Sequence, residues 1–184
     1  VSRVFRTVPY THPDAPALIV LAKLLRADFL HRELREKGGA YGGMAGYSAD
    51  GGLFSMLSYR DPHLERTLDV YHQAVEWTCR GDFSSEMIKQ SILTAFAELD
   101  RPLSPGSRGY REFLHQQQGM THDMIQAFRN GILAVNRKQL ARVAQSYLEQ
   151  TFKDSSVGIL AGEEMFGKAE RTLSRLQAQI KRLE

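Results

Sequence analysis

The sequence predicts an α+β domain: a two-layer sandwich in which a mixed, mainly antiparallel sheet is covered by helices. Three observations point there. Strand-like segments are few, about four; two of them read as a hairpin; and the helical patterns gather in the second half instead of alternating with strands, as a doubly wound parallel sheet requires.

The elements follow in chain order. Val1 to Val8 alternates, is rich in β-branched residues and stops at Pro9, as a first strand does. Asp14 stands ready to cap a helix with Pro16 in its first turn. Leu18, Leu21, Ala22, Leu25 and Phe29 then recur at helical spacing until Gly38-Gly39 ends the pattern. Ala40 to Ala49 alternates small residues with Tyr41 and Tyr47, Asp50-Gly51 supplies a turn, and Leu53 to Tyr59 returns as the second arm of a hairpin. Asp61-Pro62 reads as cap and first residue of a helix with Leu64, Leu68, Tyr71 and Val75 on one face. Ser84 caps the next helix, which carries Ile88, Ile92, Ala95 and Leu99. Arg101 to Gly106 is a surface loop by composition. Three shorter helices are expected after it, over 107–117, 122–134 and 137–149, the last capped by Asn136. Ser156 to Ala161 reads as a final strand, and Ala169, Leu173, Leu176, Ile180 and Leu183 as the apolar stripe of a closing helix.

At 184 residues, 42% hydrophobic and 24% charged, the chain has the make-up of one ordinary globular domain, 1–184. Its longest apolar run, Ala17 to Ala22, falls far short of the roughly 20 residues a membrane span takes, and no signal-peptide pattern opens it. A soluble protein with no membrane partner is expected. It begins at Val1, directly inside a strand-like segment, the pattern of a piece excised from a longer protein. The single cysteine, Cys79, excludes an internal disulfide and suits a reducing compartment, the bacterial cytoplasm first and an organelle matrix second. The 24 basic and 21 acidic residues are interspersed, without the Lys/Arg stripe that phosphate contacts need, so no nucleic-acid partner is expected.

The most unusual stretch runs from His31 to Gly43, joining a helix to a strand through Gly38, Gly39, Gly42 and Gly43. Glycine permits positive φ and, lacking a Cβ, lets another backbone come close. Gly38, Gly39, Ala40, Gly42 and Gly43 are therefore the candidate peptide-binding residues. Arg35, in the last helical turn, and Tyr41, six residues on, can both aim donors at one carbonyl oxygen, as an oxyanion requires. The plainer reading is that Arg35 complements the helix C-terminus and the glycines only cap the helix and shape the strand, and physics alone favours it. A phosphate loop is excluded, since these glycines follow a helix and precede a strand.

Other chemistry finds less support. His12, His31, His63, His72, His115 and His122 form no His-x-x-x-His or His-x-His pair, and the zincin motif and its inverted form are both absent, so no metal site is expected in this chain. His31 and Glu33, two apart on a helix, point to different faces. No Gly-x-Ser-x-Gly occurs, and the carboxylates form no acid–base pair.

Val8 to Leu18, followed by Phe29 to Gly42, closely resembles the last domain of the presequence proteases, a branch of the pitrilysin/insulinase zinc metallopeptidases. The similarity continues through Ser58-Tyr59-Arg60-Asp61-Pro62 and around Leu99 to Pro102, and so covers nearly the whole chain. The resemblance implies the C-terminal, zinc-free domain of such a peptidase, with a sheet facing a peptide chamber and helices on its other side. It implies that zinc sits in an N-terminal half on an inverted His-x-x-Glu-His motif, and that this half and short unstructured peptides are the partners. An Arg and a Tyr that reach the scissile bond in the family match Arg35 and Tyr41. By this expectation the isolated domain is inactive. The alternative is a catalytically inactive peptide-binding or assembly subunit related to the zinc-less partners of processing peptidases.

Overall fold

A computed structural model describes residues 1–177, 179 and 181 of the chain. Four strands, β1 (Ser2–Arg6), β2 (Gly42–Ser48), β3 (Leu53–Tyr59) and β4 (Ser156–Gly158), form one sheet in the order β2-β3-β1-β4. Every ladder runs antiparallel, in keeping with the mainly antiparallel sheet expected. Strand alternation decides what each face carries. Phe5, Ala45, Phe54 and Met56 are buried on one face, with Phe5 opposite Phe54 and Ala45 opposite Met56. Met44, Leu53, Leu57 and Tyr59 stay exposed on the other. One face is packed and the other is open.

The helices lie on the packed face. α1 (Ala15–Leu24) is buried almost all round, as its Ala, Leu, Ile and Val content demands. It touches β2 and also α3 (Ser85–Leu99), α5 (His122–Leu133) and α6 (Arg137–Ala144). It runs on without a break into 12 residues wound in the wider π form, Leu25–Glu36, which lie on β2. α2 (Leu64–Arg80) packs against this π segment and α6. Its fully buried Tyr71 donates to the Val1 carbonyl at 2.8 Å, tying the helix to the start of β1.

Local signals work where nothing distant competes. Ser84 accepts from the Met87 N–H at 3.2 Å, and Asn136 and Gln139 cap α6 reciprocally at 3.1 and 3.0 Å. Four expectations need correction. Asp14 precedes α1 but makes no cap bond, because its carboxylate is taken by Arg142 and Tyr147 in charge-assisted bonds. α2 starts at Leu64, two residues later than Asp61-Pro62 suggests, since Asp61 folds the approach by accepting from the His63 N–H at 2.9 Å and from the Thr67 hydroxyl. Pro105-Gly106 open α4 (Pro105–Gln117) instead of ending a loop: Ser104 accepts from the Ser107 N–H at 3.3 Å, and a first-turn proline gives up no helix bond. The last strand stops at Gly158, because only Ser156 to Gly158 find partners on β1.

α7 (Glu163–Lys168) precedes the expected closing stripe, and α8 (Glu170–Arg175) holds only Leu173 of it, with Ala169 and Leu176 at its two caps. Ala169 and Leu173 are buried and Leu176 is half-buried, while Ile180 and Leu183 lie outside the described residues.

Candidate functional site

Buried Leu30 and Leu34 hold the end of the π segment on β2, which leaves Arg32, Arg35, Glu36 and Lys37 in solvent. Gly39, at φ +73°, reverses the chain in the left-handed region that glycine enters without a steric penalty. Its N–H returns to the Arg35 carbonyl at 3.1 Å, and that of Ala40 to the Leu34 carbonyl at 2.9 Å. From α2, Arg66 satisfies two more carbonyls of this helix end, Lys37 at 2.9 Å and Glu33 at 3.5 Å. Sequence reasoning missed Arg66, because its partners lie 29 and 33 residues away.

The candidate peptide-binding residues separate into two sets. A Cβ on Gly43 would stand 2.7 Å from the Leu30 oxygen, so this glycine serves close strand–helix approach, whereas one on Gly38 would stand 2.5 Å from the Leu34 oxygen of the turn just before it, so that glycine serves the helix end itself. Ala40 is buried with them. Gly42 meets nothing within 4 Å, and Gly39 meets only Pro62 at 4.0 Å. We expect Gly43→Ala to destabilise the chain by roughly 1–3 kcal/mol, the usual cost of overpacking, and Gly42→Ala to leave thermal melting unchanged. Equal melting temperatures for the two variants would refute this division.

β2 is the outer strand, and its far edge pairs with no strand among the described residues. The chain bends at Tyr41, whose N–H still bonds to the Tyr59 carbonyl at 3.1 Å. The residue is 67% exposed, and its ring lies edge-on to that of Tyr59 with centroids 5.9 Å apart. Strict alternation would have put Tyr41 with Gly43 and Ala45 on the packed face; the bend brings it beside Tyr59 instead. Among the described residues the Tyr41 hydroxyl takes no hydrogen-bond partner. Arg35 is exposed too, its guanidinium 3.3 Å from His31 Nε2, with no carboxylate partner among the described residues. No contact joins Arg35 to Tyr41; they flank the Gly38-Gly39-Ala40 turn as two donors with capacity to spare.

The neighbouring groups are committed elsewhere. His31 faces Glu36 at 3.2 Å, whereas Glu33 accepts from Lys37 at 2.8 Å and Arg32 at 2.9 Å, so the two do not converge. The Glu33 carboxyl titrates below its ordinary value: partial burial opposes this, and the bonds from Lys37 and Arg32 outweigh it. Burial pushes the Cys79 thiol up to about 12, which disfavours the thiolate form. Among the described residues no three His, Cys, Asp or Glu side chains gather to hold a metal, and no helix is long and apolar enough to cross a membrane.

Comparison with known proteins gives this arrangement a context. The family described as the PreP C-terminal domain matches residues 4–163. A mitochondrial presequence protease of Danio rerio is 42% identical over 163 residues, covering 89% of this chain and 16% of that protein. The mitochondrial presequence protease of Mus musculus is 43% identical over 143 residues, or 78% of this chain and 13% of its own length. The chain therefore spans less than a fifth of the length of the relatives it matches. Among solved structures, pitrilysin superimposes with a TM-score of 0.59 at 15% identity, over 81% of this chain and 17% of that one, a likeness of fold alone.

Proposed function

This chain belongs to the PreP C-terminal domain family, and from that membership we propose that it forms the far wall of a peptide chamber whose catalytic half lies elsewhere in the same protein. The observation that carries the reading is the pair of exposed donors with capacity to spare, Arg35 and Tyr41, beside a strand edge unpaired among the described residues and an open apolar sheet face. Each part suits one aspect of an extended peptide. The edge of β2 offers N–H and C=O groups that a backbone can pair with, which selects short unstructured peptides over folded chains. Met44, Leu57 and Tyr59 offer apolar surface to its side chains. Arg35 and Tyr41 donate to the scissile carbonyl oxygen as it gains negative charge. Water activation belongs, in this reading, to the zinc of the N-terminal half.

The partners proposed are that N-terminal half and peptide substrates. For the compartment, relatives named as mitochondrial support an organelle interior, and the bacterial cytoplasm is the alternative that fractionation of the native source tests.

Metal and activity measurements test the division of labour. The full-length protein is expected to carry zinc and to cleave unstructured peptides in a chelator-sensitive way. The 184-residue chain alone should hold far less than one zinc and cleave nothing. Tight equimolar zinc in the isolated chain, or chelator-insensitive cleavage by it, would overturn the reading. An inverted zinc motif in the upstream coding sequence separates the enzyme from a catalytically inactive subunit.

A further inference from the structure

Arg60 carries φ +47°, the left-handed region that a residue with a Cβ seldom enters. It directly follows β3, where Tyr59 pairs with Gly42, so the residue opposite it is Tyr41. The backbones are joined there, with the Tyr41 N–H 3.1 Å from the Tyr59 oxygen and 3.4 Å from that of Arg60. The side chains meet as well: the Arg60 guanidinium stands 5.9 Å from the Tyr41 ring centroid and 5.6 Å from that of Tyr59. Among the described residues no carboxylate pairs with Arg60, so these two rings are what its charge addresses. A guanidinium over a phenol ring is held by the ring's negative face.

This arrangement supplies what Tyr41 otherwise lacks. Tyr41 is two-thirds exposed and its hydroxyl takes no partner among the described residues, so little besides Tyr59 and Arg60 limits the directions it can point. A donor that serves a developing oxyanion must point one way before the reaction starts, because reorientation during the step adds to the barrier. Glycine would adopt the backbone of residue 60 without strain. The chain instead keeps an arginine there, whose side chain spans the two tyrosines.

We propose that Arg60 is a positioning residue for Tyr41, fixing the direction of its hydroxyl through the Tyr41–Tyr59–Arg60 cluster. The proposal rests on the reading of Tyr41 as a substrate donor, and the test separates the two. In the full-length peptidase, with an unstructured peptide as substrate, kcat, KM and thermal melting are measured for Arg60→Gly, Arg60→Lys, Tyr41→Phe and the Tyr41→Phe/Arg60→Gly double variant. Arg60→Gly relieves the backbone, so melting should be unchanged or raised while kcat falls roughly two- to fivefold at nearly constant KM, the size of an exposed cation–π contact. Arg60→Lys should recover part of the loss. Without the hydroxyl, adding Arg60→Gly should cost nothing further. A wild-type kcat in Arg60→Gly alongside an impaired Tyr41→Phe would overturn this proposal alone. An equal Arg60→Gly loss in both backgrounds would also overturn it, because Arg60 would then act independently of Tyr41. An unimpaired Tyr41→Phe would remove the underlying reading and this proposal together.

Discussion

On the proposed role of Tyr41, the full-length protein carrying Tyr41→Phe is expected to show kcat lowered by roughly 10²–10³-fold with little change in KM, the effect of losing one oxyanion donor. The substitution removes a hydroxyl and keeps the ring, so the edge-on contact with Tyr59 survives. The Tyr41 hydroxyl holds no bond within the described residues, so its loss breaks nothing in the fold, and any kinetic change reports on substrate. The carbonyl oxygen becomes negative only as water adds, so the donor is worth more in the transition state than in the bound ground state. Arg35→Lys tests the second donor. It keeps the charge but loses the planar fork, and impairment is expected because direction matters as much as charge. Kinetics would be read beside thermal melting. Unchanged kcat in a normally melting Tyr41→Phe enzyme would take this hydroxyl out of the mechanism.

Asp14→Asn should destabilise the chain by about 2 kcal/mol near neutral pH, a fall of roughly 4–8 °C in Tm. The Asp14 side chain is 10% exposed and accepts from Arg142 Nη1 at 3.0 Å, from Arg142 Nη2, and from the Tyr147 hydroxyl at 2.9 Å. These bonds fasten the entry of α1 to α6 and to the π-wound segment Gln145–Glu149 that continues it. Half of the Arg142 side chain reaches solvent, which places the effect below that of a fully buried pair. Bonding from Arg142, opposed by burial and helped by Tyr147, holds the Asp14 carboxyl below its ordinary value of 3.8. The same cluster, with burial as the larger cause, pushes Tyr147 up to about 12. A depressed carboxyl means that the unfolded chain binds the proton more readily, so unfolding free energy rises with pH across this window. The contribution is complete above the unfolded value near 4 and disappears as pH falls below it through the folded value. The melting gap between wild type and Asp14→Asn should therefore close in acid. A gap that is absent at pH 7, or one that persists unchanged into acid, would contradict this account.

The sequence by itself determined the elements and the class of fold. The alternation of Leu53 to Tyr59 and the caps at Ser84 and Asn136 act over a few residues, and they survive because nothing distant offers those groups better partners. Arg35 and Tyr41 likewise stand out in the sequence through the family resemblance alone. Tertiary structure decided what these groups do with their neighbours. The Asp14 side chain makes no cap bond because Arg142, 128 residues away, outbids the local N–H groups for its carboxylate. Gly42 and Gly43 are identical in sequence, yet one faces open space and the other the Leu30 carbonyl, since only the docked helix defines the clearance above each Cα. Tyr41 reaches the open face through a bend that no alternation pattern records, and Arg60 meets it only because β2 and β3 pair in that register. Periodicity and capping are short-range and readable along the chain; ion-pair choice, Cβ clearance and ring contacts depend on which distant segments share space, and that is decided when the layers pack.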